Sequence, residues 1–515
     1  VERCAAACPA RHLSVVSCRD WYIIRRFIQF SDGLPCKNAA AVRCYVFQTA
    51  FRMVKMARSN QTQMTPEEWR ASTSLSGVYA LRMLGMFLVL PVLALYADGL
   101  PGADNNKTLV GLAVGMYGLT QALMQLPLGI ASDRFGRKKT IYFGLLLFAA
   151  GSFLAASADS LEILVIGRAL QGAGAVSAAV TALLADLTRE EVRTRSMAMI
   201  GLSIGITFSS SLILSPMLTS VIGVKGLFIL TGLLTLSSMA VVAFWTPDPA
   251  VSKLHEDAQA QPSRFGEVFA DRRLMSLNFG IFALHCGMMA LFTTLPFIMV
   301  DLGLDKTVHW KIYFPATLLG LILMVPAIIV GETRNRLNKV FISRIVLTLI
   351  ALAALMLSLH SLWLIAACLI VYFIGFNILE ASQPSMVSKI APADLKGTAM
   401  GVYNTLQSVG LLCGGLIGGT LYQNYGMYAV LSFTLVLTTA WLVSAILSPA
   451  PKPVKNIAFK IGTSWHGRQE ALHFALSKVA GVEHISFSSD GETVYIKALQ
   501  KGFDEAAAKN IISGV

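Results

Sequence analysis

Gly129-Ile130-Ala131-Ser132-Asp133-Arg134-Phe135-Gly136-Arg137-Lys138-Lys139 is a short charged string set between two long apolar runs. The flanking runs, near 107–131 and 139–157, are each long enough to cross a hydrocarbon core, which takes roughly 20 helical residues. Working outward, the same alternation recurs along the chain. Spans are predicted near 72–97, 107–131, 139–157, 161–185, 195–220 and 225–245. Beyond a polar connection at 246–273, six more fall near 274–300, 308–331, 340–358, 361–385, 397–422 and 426–448. A helix satisfies its own backbone in lipid, so the expected fold is all-α and polytopic. Twelve transmembrane helices divide into two pseudo-symmetric six-helix halves, 64–245 and 274–448. Arg195-Ser196-Met197-Ala198-Met199 at the fifth span parallels Lys396-Gly397-Thr398-Ala399-Met400 at the eleventh, a weak trace of internal duplication.

Composition agrees. Charged residues make up 14% of the 515, against about 25% in soluble domains, and hydrophobic residues 55%. That excludes a soluble globular enzyme, a disordered scaffold and a fibrous repeat. The net charge of +13 is not a nucleic-acid signal, because it is sorted by loop. Alternate loops carry Arg134, Arg137, Lys138, Lys139; Arg189, Arg193, Arg195; Lys253, Arg264, Arg272, Arg273; Arg334, Arg336, Lys339; and Lys389, Lys396. The opposite loops hold Lys107, Lys225 and Lys306. The basic side is expected to be cytoplasmic, with both termini inside.

The ends differ from the bundle. Residues 1–55 form a basic leader whose most apolar stretch is interrupted by Arg25 and Arg26, so it is neither a span nor a signal core. It reads as lying outside the native protein, with translation starting at Met53 or Met56; a transit peptide is the alternative. Cys4, Cys8, Cys18, Cys36 and Cys44 in this leader make no disulfide framework, and Cys286, Cys368 and Cys413 inside spans read as packing residues. After Pro449, Pro451 and Pro453, residues 449–515 read as a small cytosolic β-α-β-β-α module of ferredoxin-like type, with strands at 457–461, 484–487 and 494–498 and helices at 469–480 and 504–512. Ser489-Asp490-Gly491 supplies a turn, and the absence of cysteine excludes a thiolate metal site. The module is expected to bind an unidentified ligand or partner.

The string Gly129, Asp133, Arg134, Gly136, Arg137 in the loop between spans two and three is similar to motif A of the major facilitator superfamily. Gly129 allows close helix approach, and Asp133 can pair with cations; the bland reading is that the bases only enforce topology and Asp133 caps a helix. Arg168-Ala169-Leu170-Gln171-Gly172 resembles motif B. Leu81 to Pro91, Asp186-Leu187-Thr188-Arg189-Glu190, His309-Trp310-Lys311 and Lys396 to Tyr403 resemble the YajR-type transporters, over about residues 64–515. The resemblance implies a ferredoxin-like cytosolic domain and proton-coupled export of a small organic or drug-like solute across a bacterial inner membrane. It also implies that motif A and Asp186 form a charge relay locking the outward-facing state. Departures are visible: Ser215-Pro216-Met217-Leu218-Thr219 lacks the glycines of an antiporter motif, Arg82 stands where an acid is common, and Gly331 to Arg336 is a degenerate second copy of motif A.

No enzyme constellation, cofactor loop or metal set is present in this reading. The expected partners are a proton, a small-molecule substrate and the lipid bilayer. Ionisable residues inside spans are costly and so are candidate sites: Arg82, Arg168, His285 and Glu380, with Gln171 and Asn377 as polar companions. Arg82 and Arg168 can alternatively serve as structural partners of backbone carbonyls, and His285 as a satisfied core histidine. Glu380, the only carboxylate placed deep in a span, is expected to carry the coupling proton, with His285 sharing it. A transporter-like sensor signalling through the C-terminal module is the second reading.

Overall fold

The computed structural model describes residues 64–104, 106–248, 265–333, 337–392 and 395–448, and in the C-terminal module 454–462, 465, 468–487, 493–499 and 502–513. The leader, most of the central connection and the Ser489-Asp490-Gly491 turn lie outside the described residues.

Span one, Pro66–Asp98, starts as the sequence dictates. The Thr65 hydroxyl accepts from Glu68 N at 3.2 Å while Glu68 accepts from Thr65 N at 2.8 Å, a capping box completed by Pro66 in the first turn. Spans two (Lys107–Phe135) and three (Arg137–Ala156) are separated by Gly136 alone, whose φ of 102° turns the chain within one residue. Spans five and six run as one stretch, Glu190–Phe244. Straight, its 55 residues would measure about 80 Å, far beyond a core of about 30 Å. Gly223, at φ 69° and ψ 176°, breaks the stretch into two spans. Spans seven to twelve are Arg272–Asp301, Trp310–Thr333, Leu337–Leu357, Leu362–Ile390, Lys396–Tyr425 and Met427–Leu447.

Span four corrects the expectation of one continuous helix at 161–185. It is two half-helices, Leu161–Ala173 and Ser177–Asp186. The break follows from close packing on span three: a Cβ on Gly174 would lie 2.9 Å from Cβ of Phe148, and one on Gly151 would lie 2.7 Å from Gly167 O. Glycines that admit such approach also weaken the helix that contains them. The central connection is likewise not wholly a loop, since it ends in the short helix Phe265–Ala270. Asp271 then caps span seven through Arg273 N and Leu274 N.

Among the described residues, nine helical segments are long and apolar enough to cross a membrane, with the two half-helices of span four counted together. Span five carries Ser203, Thr207 and Ser211 and span eleven Asn404, Gln407, Ser408 and a run of glycines, a composition suited to helix contact rather than lipid. Helix contacts repeat with an offset of six. Gly85 of span one meets Thr231 of span six, as Gly280 of span seven meets Trp441 of span twelve; Gly172 of span four meets Tyr117 of span two, as Gly320 of span eight meets Phe373 of span ten. The two halves are therefore structural counterparts.

Call the face bearing Arg134–Lys139 and Arg189 the basic face. Among the described residues, the halves meet from mid-depth to the opposite face. Gly111 packs on Gly415 and Gly419, Gly115 on Leu412, and Gly118 on Ser408, while Lys107 N donates to Gln423 Oε1 at 2.7 Å. The main core accordingly mixes both halves, with Val89, Leu93 and Phe208 beside Met288 and Leu291. Toward the basic face, Leu75, Ile141, Leu183 and Val242 form a separate core of the first half alone.

In the module, β1 (Val454–Lys460), β2 (Val482–Phe487) and β3 (Thr493–Leu499) form an antiparallel sheet in the order β1-β3-β2. Ile496 pairs with Ile457 on one side and Ile485 on the other. Helices Gln469–Ser477 and Glu505–Ser513 close its core through Leu472, Leu476, Ala508 and Ile512. This is the split β-α-β arrangement expected of a ferredoxin-like module. Lys497 of β3 donates to the carbonyl of Ile390, at the basic-face end of span ten.

Candidate functional site

Three clusters collect the singled-out residues. The first lies at the basic face, where Arg137 is a hub. Its Nε donates to Asp186 Oδ2 at 3.1 Å and its Nη1 to Ser132 Oγ at 2.9 Å and to Asp133. The guanidinium is 3% exposed and the Asp186 side chain fully buried, whereas the Asp133 side chain is 26% exposed. Beside the hub, Lys138 reaches Asp248 and Thr246 O, both at 2.7 Å, tying the string to the end of span six. Glu68, already part of the span-one cap, also accepts from Arg189 N, Nε and Nη2 at 3.0, 2.7 and 3.0 Å. Gly129 faces Ala178 at ordinary contact distance, and Arg134 is exposed beside Phe135. All three charged groups of the hub belong to the first half. They are assembled in the same structure in which the halves are clasped at the opposite face.

The second cluster is buried at mid-depth in the first half. Arg82 is 1% and Arg168 2% exposed. Arg82 Nη2 donates to the Tyr117 hydroxyl at 3.0 Å and Nη1 reaches Ser177 Oγ at 3.5 Å. Arg168 stacks on the Tyr117 ring, with Cζ 5.0 Å from its centroid, and donates to Gln171 Oε1 at 2.8 Å. Gln171 in turn donates to Ser152 Oγ at 2.8 Å. Sequence reading named Arg82, Arg168 and Gln171 separately; the fold joins them around Tyr117, which it did not name.

The third cluster sits in the second half, between mid-depth and the basic face. Glu380 Oε2 lies 3.6 Å from His285 Nε2. Gln407 of span eleven bridges the two: its Nε2 is 3.2 Å from Glu380 Oε1 and 2.9 Å from His285 Nε2. His285 Nδ1 is 3.3 Å from Ile281 O. A neutral imidazole donating through Nδ1 leaves Nε2 as an acceptor, so one amide nitrogen donates to both the histidine and the carboxylate. The Glu380 side chain is 31% exposed and His285 8%. Among the described residues, Glu380 Oε2 and the buried hydroxyl of Tyr403 have no hydrogen-bond partner. Asn377, expected beside Glu380, instead directs its amide nitrogen toward Gly320 of span eight. Phe376 lies 5.9 Å from the His285 ring and stacks on Phe208 of the first half at 5.8 Å. This aromatic wall continues through Phe373 and Phe292 to a small apolar pocket lined by Met288, Leu295, Tyr313 and Tyr372. At the opposite face His309, outside the spans, is held below the usual histidine range by burial.

Sequence reading missed Gln407 and the aromatic wall. Asn404, Gln407 and Ser408 share one helix face at spacings of three and four, which was the available signal for Gln407.

Residues 75–415 match the Major Facilitator Superfamily. The chain is 39% identical over 438 residues to the inner membrane transport protein YajR of Escherichia coli (strain K12), covering 85% of this chain and 96% of that one. It is 28% identical over 385 residues to multidrug resistance protein 1 of Bacillus subtilis (strain 168), covering 71% and 95%. Among solved structures, a bacterial homologue of the human lysosomal transporter Spinster, in an inward-facing and occupied conformation, superposes with a TM-score of 0.63 at 12% identity, covering 75% of this chain and 97% of that one.

Proposed function

The chain belongs to the Major Facilitator Superfamily, and from that premise we propose that it couples proton entry to export of a small organic solute across a bacterial inner membrane. It is a transport protein rather than an enzyme. The observation that carries proton coupling is the Glu380–Gln407–His285 cluster, a partly exposed carboxylate and a buried imidazole sharing one amide donor inside the bundle. The sorting of basic residues supports a cytoplasmic basic face with both termini inside, and the clasp at the opposite face then supports an inward-facing reading. Glu380 then discharges toward the cytoplasm and reloads when the halves rock to face the acidic exterior. The multidrug name of a relative and the aromatic wall favour a solute with an apolar body. Reconstituted vesicles with an imposed pH gradient, screened with a solute panel, test this: uphill solute movement abolished by a protonophore is expected, and movement indifferent to the gradient contradicts it.

The Arg137 hub acts in this scheme by holding spans two, three and four rigid at the basic face, where a latch needs a firm base. Its two carboxylates differ in burial, so their variants separate. Asp186→Asn leaves a buried guanidinium underpaired and is expected to cost about 3–5 kcal/mol. Asp133→Asn, at a partly wet site, is expected to cost about 1 kcal/mol or less while lowering the transport rate. Thermal unfolding of both variants checks the order; equal losses contradict it.

The C-terminal module is proposed to regulate. Its contact with the end of span ten, through Lys497, reaches the helix that carries Glu380. A cation on a helix C-terminus contributes only about 0.3–1 kcal/mol, so it biases motion rather than enabling it. Truncation after residue 448 is expected to alter the rate severalfold without abolishing proton-driven flux; complete loss in a folded truncation favours the sensor reading.

A further inference from the structure

Two guanidinium groups, almost wholly buried, converge on Tyr117, Arg82 at its hydroxyl and Arg168 over its ring face. Among the described residues neither forms an ion pair; their partners are the neutral groups of Tyr117, Ser177 and Gln171. Among the same described residues, Nε of Arg82 and Nε of Arg168 are both buried without a hydrogen-bond partner. Two unneutralised charges at mid-membrane are expensive, and hydrogen bonds to neutral groups offset that cost only in part. A third positive element converges on the same place. Span four breaks at residues 174–176, and the half-helix Ser177–Asp186 begins beside Arg82 with no side-chain cap on its first amides. Half-helix N-termini inside a bundle direct their dipoles toward negative groups.

We propose that Arg82, Arg168 and the start of this half-helix form the seat of an anionic group on the transported solute. The assignment builds on the transporter reading above and names its solute class: a small organic anion, its charged end at the arginine pair. A cation is repelled there and a neutral solute leaves both charges uncompensated, whereas a carboxylate takes two guanidinium donors at once. The halves thus divide the work. The first half holds the anion, and the second half holds the proton at Glu380 and His285, opposite in sign and separate in place.

Purified full-length protein, titrated with benzoate, its neutral isostere benzamide and the cation benzylamine, tests the assignment through the shift in unfolding temperature and by calorimetry. Benzoate is expected to bind more tightly than benzamide by about tenfold or more, as in sites built around a specific polar group, with benzylamine weakest. Arg82→Gln and Arg168→Gln should each lower benzoate affinity about tenfold, and Arg168→Lys should recover part of it. Equal binding of benzoate and benzamide to the wild type, no benzoate binding, or unchanged benzoate affinity in a folded glutamine variant overturns the proposal. Should the variants not fold, the ranking of the three ligands on the wild type decides. Benzoate binding without proton-driven flux of any solute removes the transport reading and keeps the site. Proton-driven flux of a neutral or cationic solute without benzoate binding does the reverse.

Discussion

Gly415→Val should prevent the halves from closing at the face opposite the basic loops. A Cβ at this position would run into Gly111 O and lie 3.1 Å from Gly115 N and 3.3 Å from Gly115 Cα. Those neighbours are backbone, so no rotamer change relieves the clash; spans two and eleven must separate. Overpacking of this kind costs about 1–3 kcal/mol, and here it falls on the contact that joins the halves rather than within either of them. The variant should therefore insert and fold as two intact halves yet lose the clasp and with it transport. Paired Lys107→Cys and Gln423→Cys substitutions, in a chain whose native cysteines are replaced, report the clasp, since the Lys107 amide is bonded to Gln423 in the parent. Cross-linking should be strong in the parent and lost with Gly415→Val. Undiminished cross-linking would show that the glycine contact does not set closure.

Glu380→Gln should uncouple the protein. Glutamine keeps the shape of a protonated glutamate but neither gains nor loses a proton near neutral pH. The variant should retain solute binding and solute–solute exchange, which need rocking alone, while proton-driven accumulation falls to the level of protein-free vesicles. His285→Gln separates the roles within the pair. If the histidine shares the proton, its loss should shift the pH dependence of flux; if it only accepts the Gln407 amide, flux should persist with the same profile. Retained proton-driven flux in Glu380→Gln would remove the carboxylate from the mechanism.

Much of this architecture is legible along the chain because the bilayer imposes length and the loops impose charge. The helix start at Thr65-Pro66-Glu67-Glu68 is written in local capping chemistry, and spans one to three fall close to their apolar runs. Chemistry that depends on which helix faces which is not legible in this way. Gln407 is 122 residues from His285 in sequence, and no local pattern announces that one amide serves both His285 and Glu380. The break in span four was hidden for a related reason: the spanning-length run 161–185 continues across Gly174, and the packing of spans three and four shows why the helix gives way there. Asn377 was grouped with Glu380 because it lies one turn away, but helix rotation sends its amide toward span eight. The charge string beginning at Gly129 contains Asp133 and Arg137 of the hub, while the contrast between wet Asp133 and buried Asp186 needed coordinates.

Solute-induced proton movement in sealed proteoliposomes, recorded with an internal pH dye at matched amounts of wild-type and Glu380→Gln protein, bears most directly on proton coupling. Addition of a transported solute to the wild type should move protons in the direction opposite to the solute, and Glu380→Gln should give no proton signal while still exchanging labelled solute. An undiminished proton signal in Glu380→Gln, or solute transport by the wild type with no proton movement, would contradict the account.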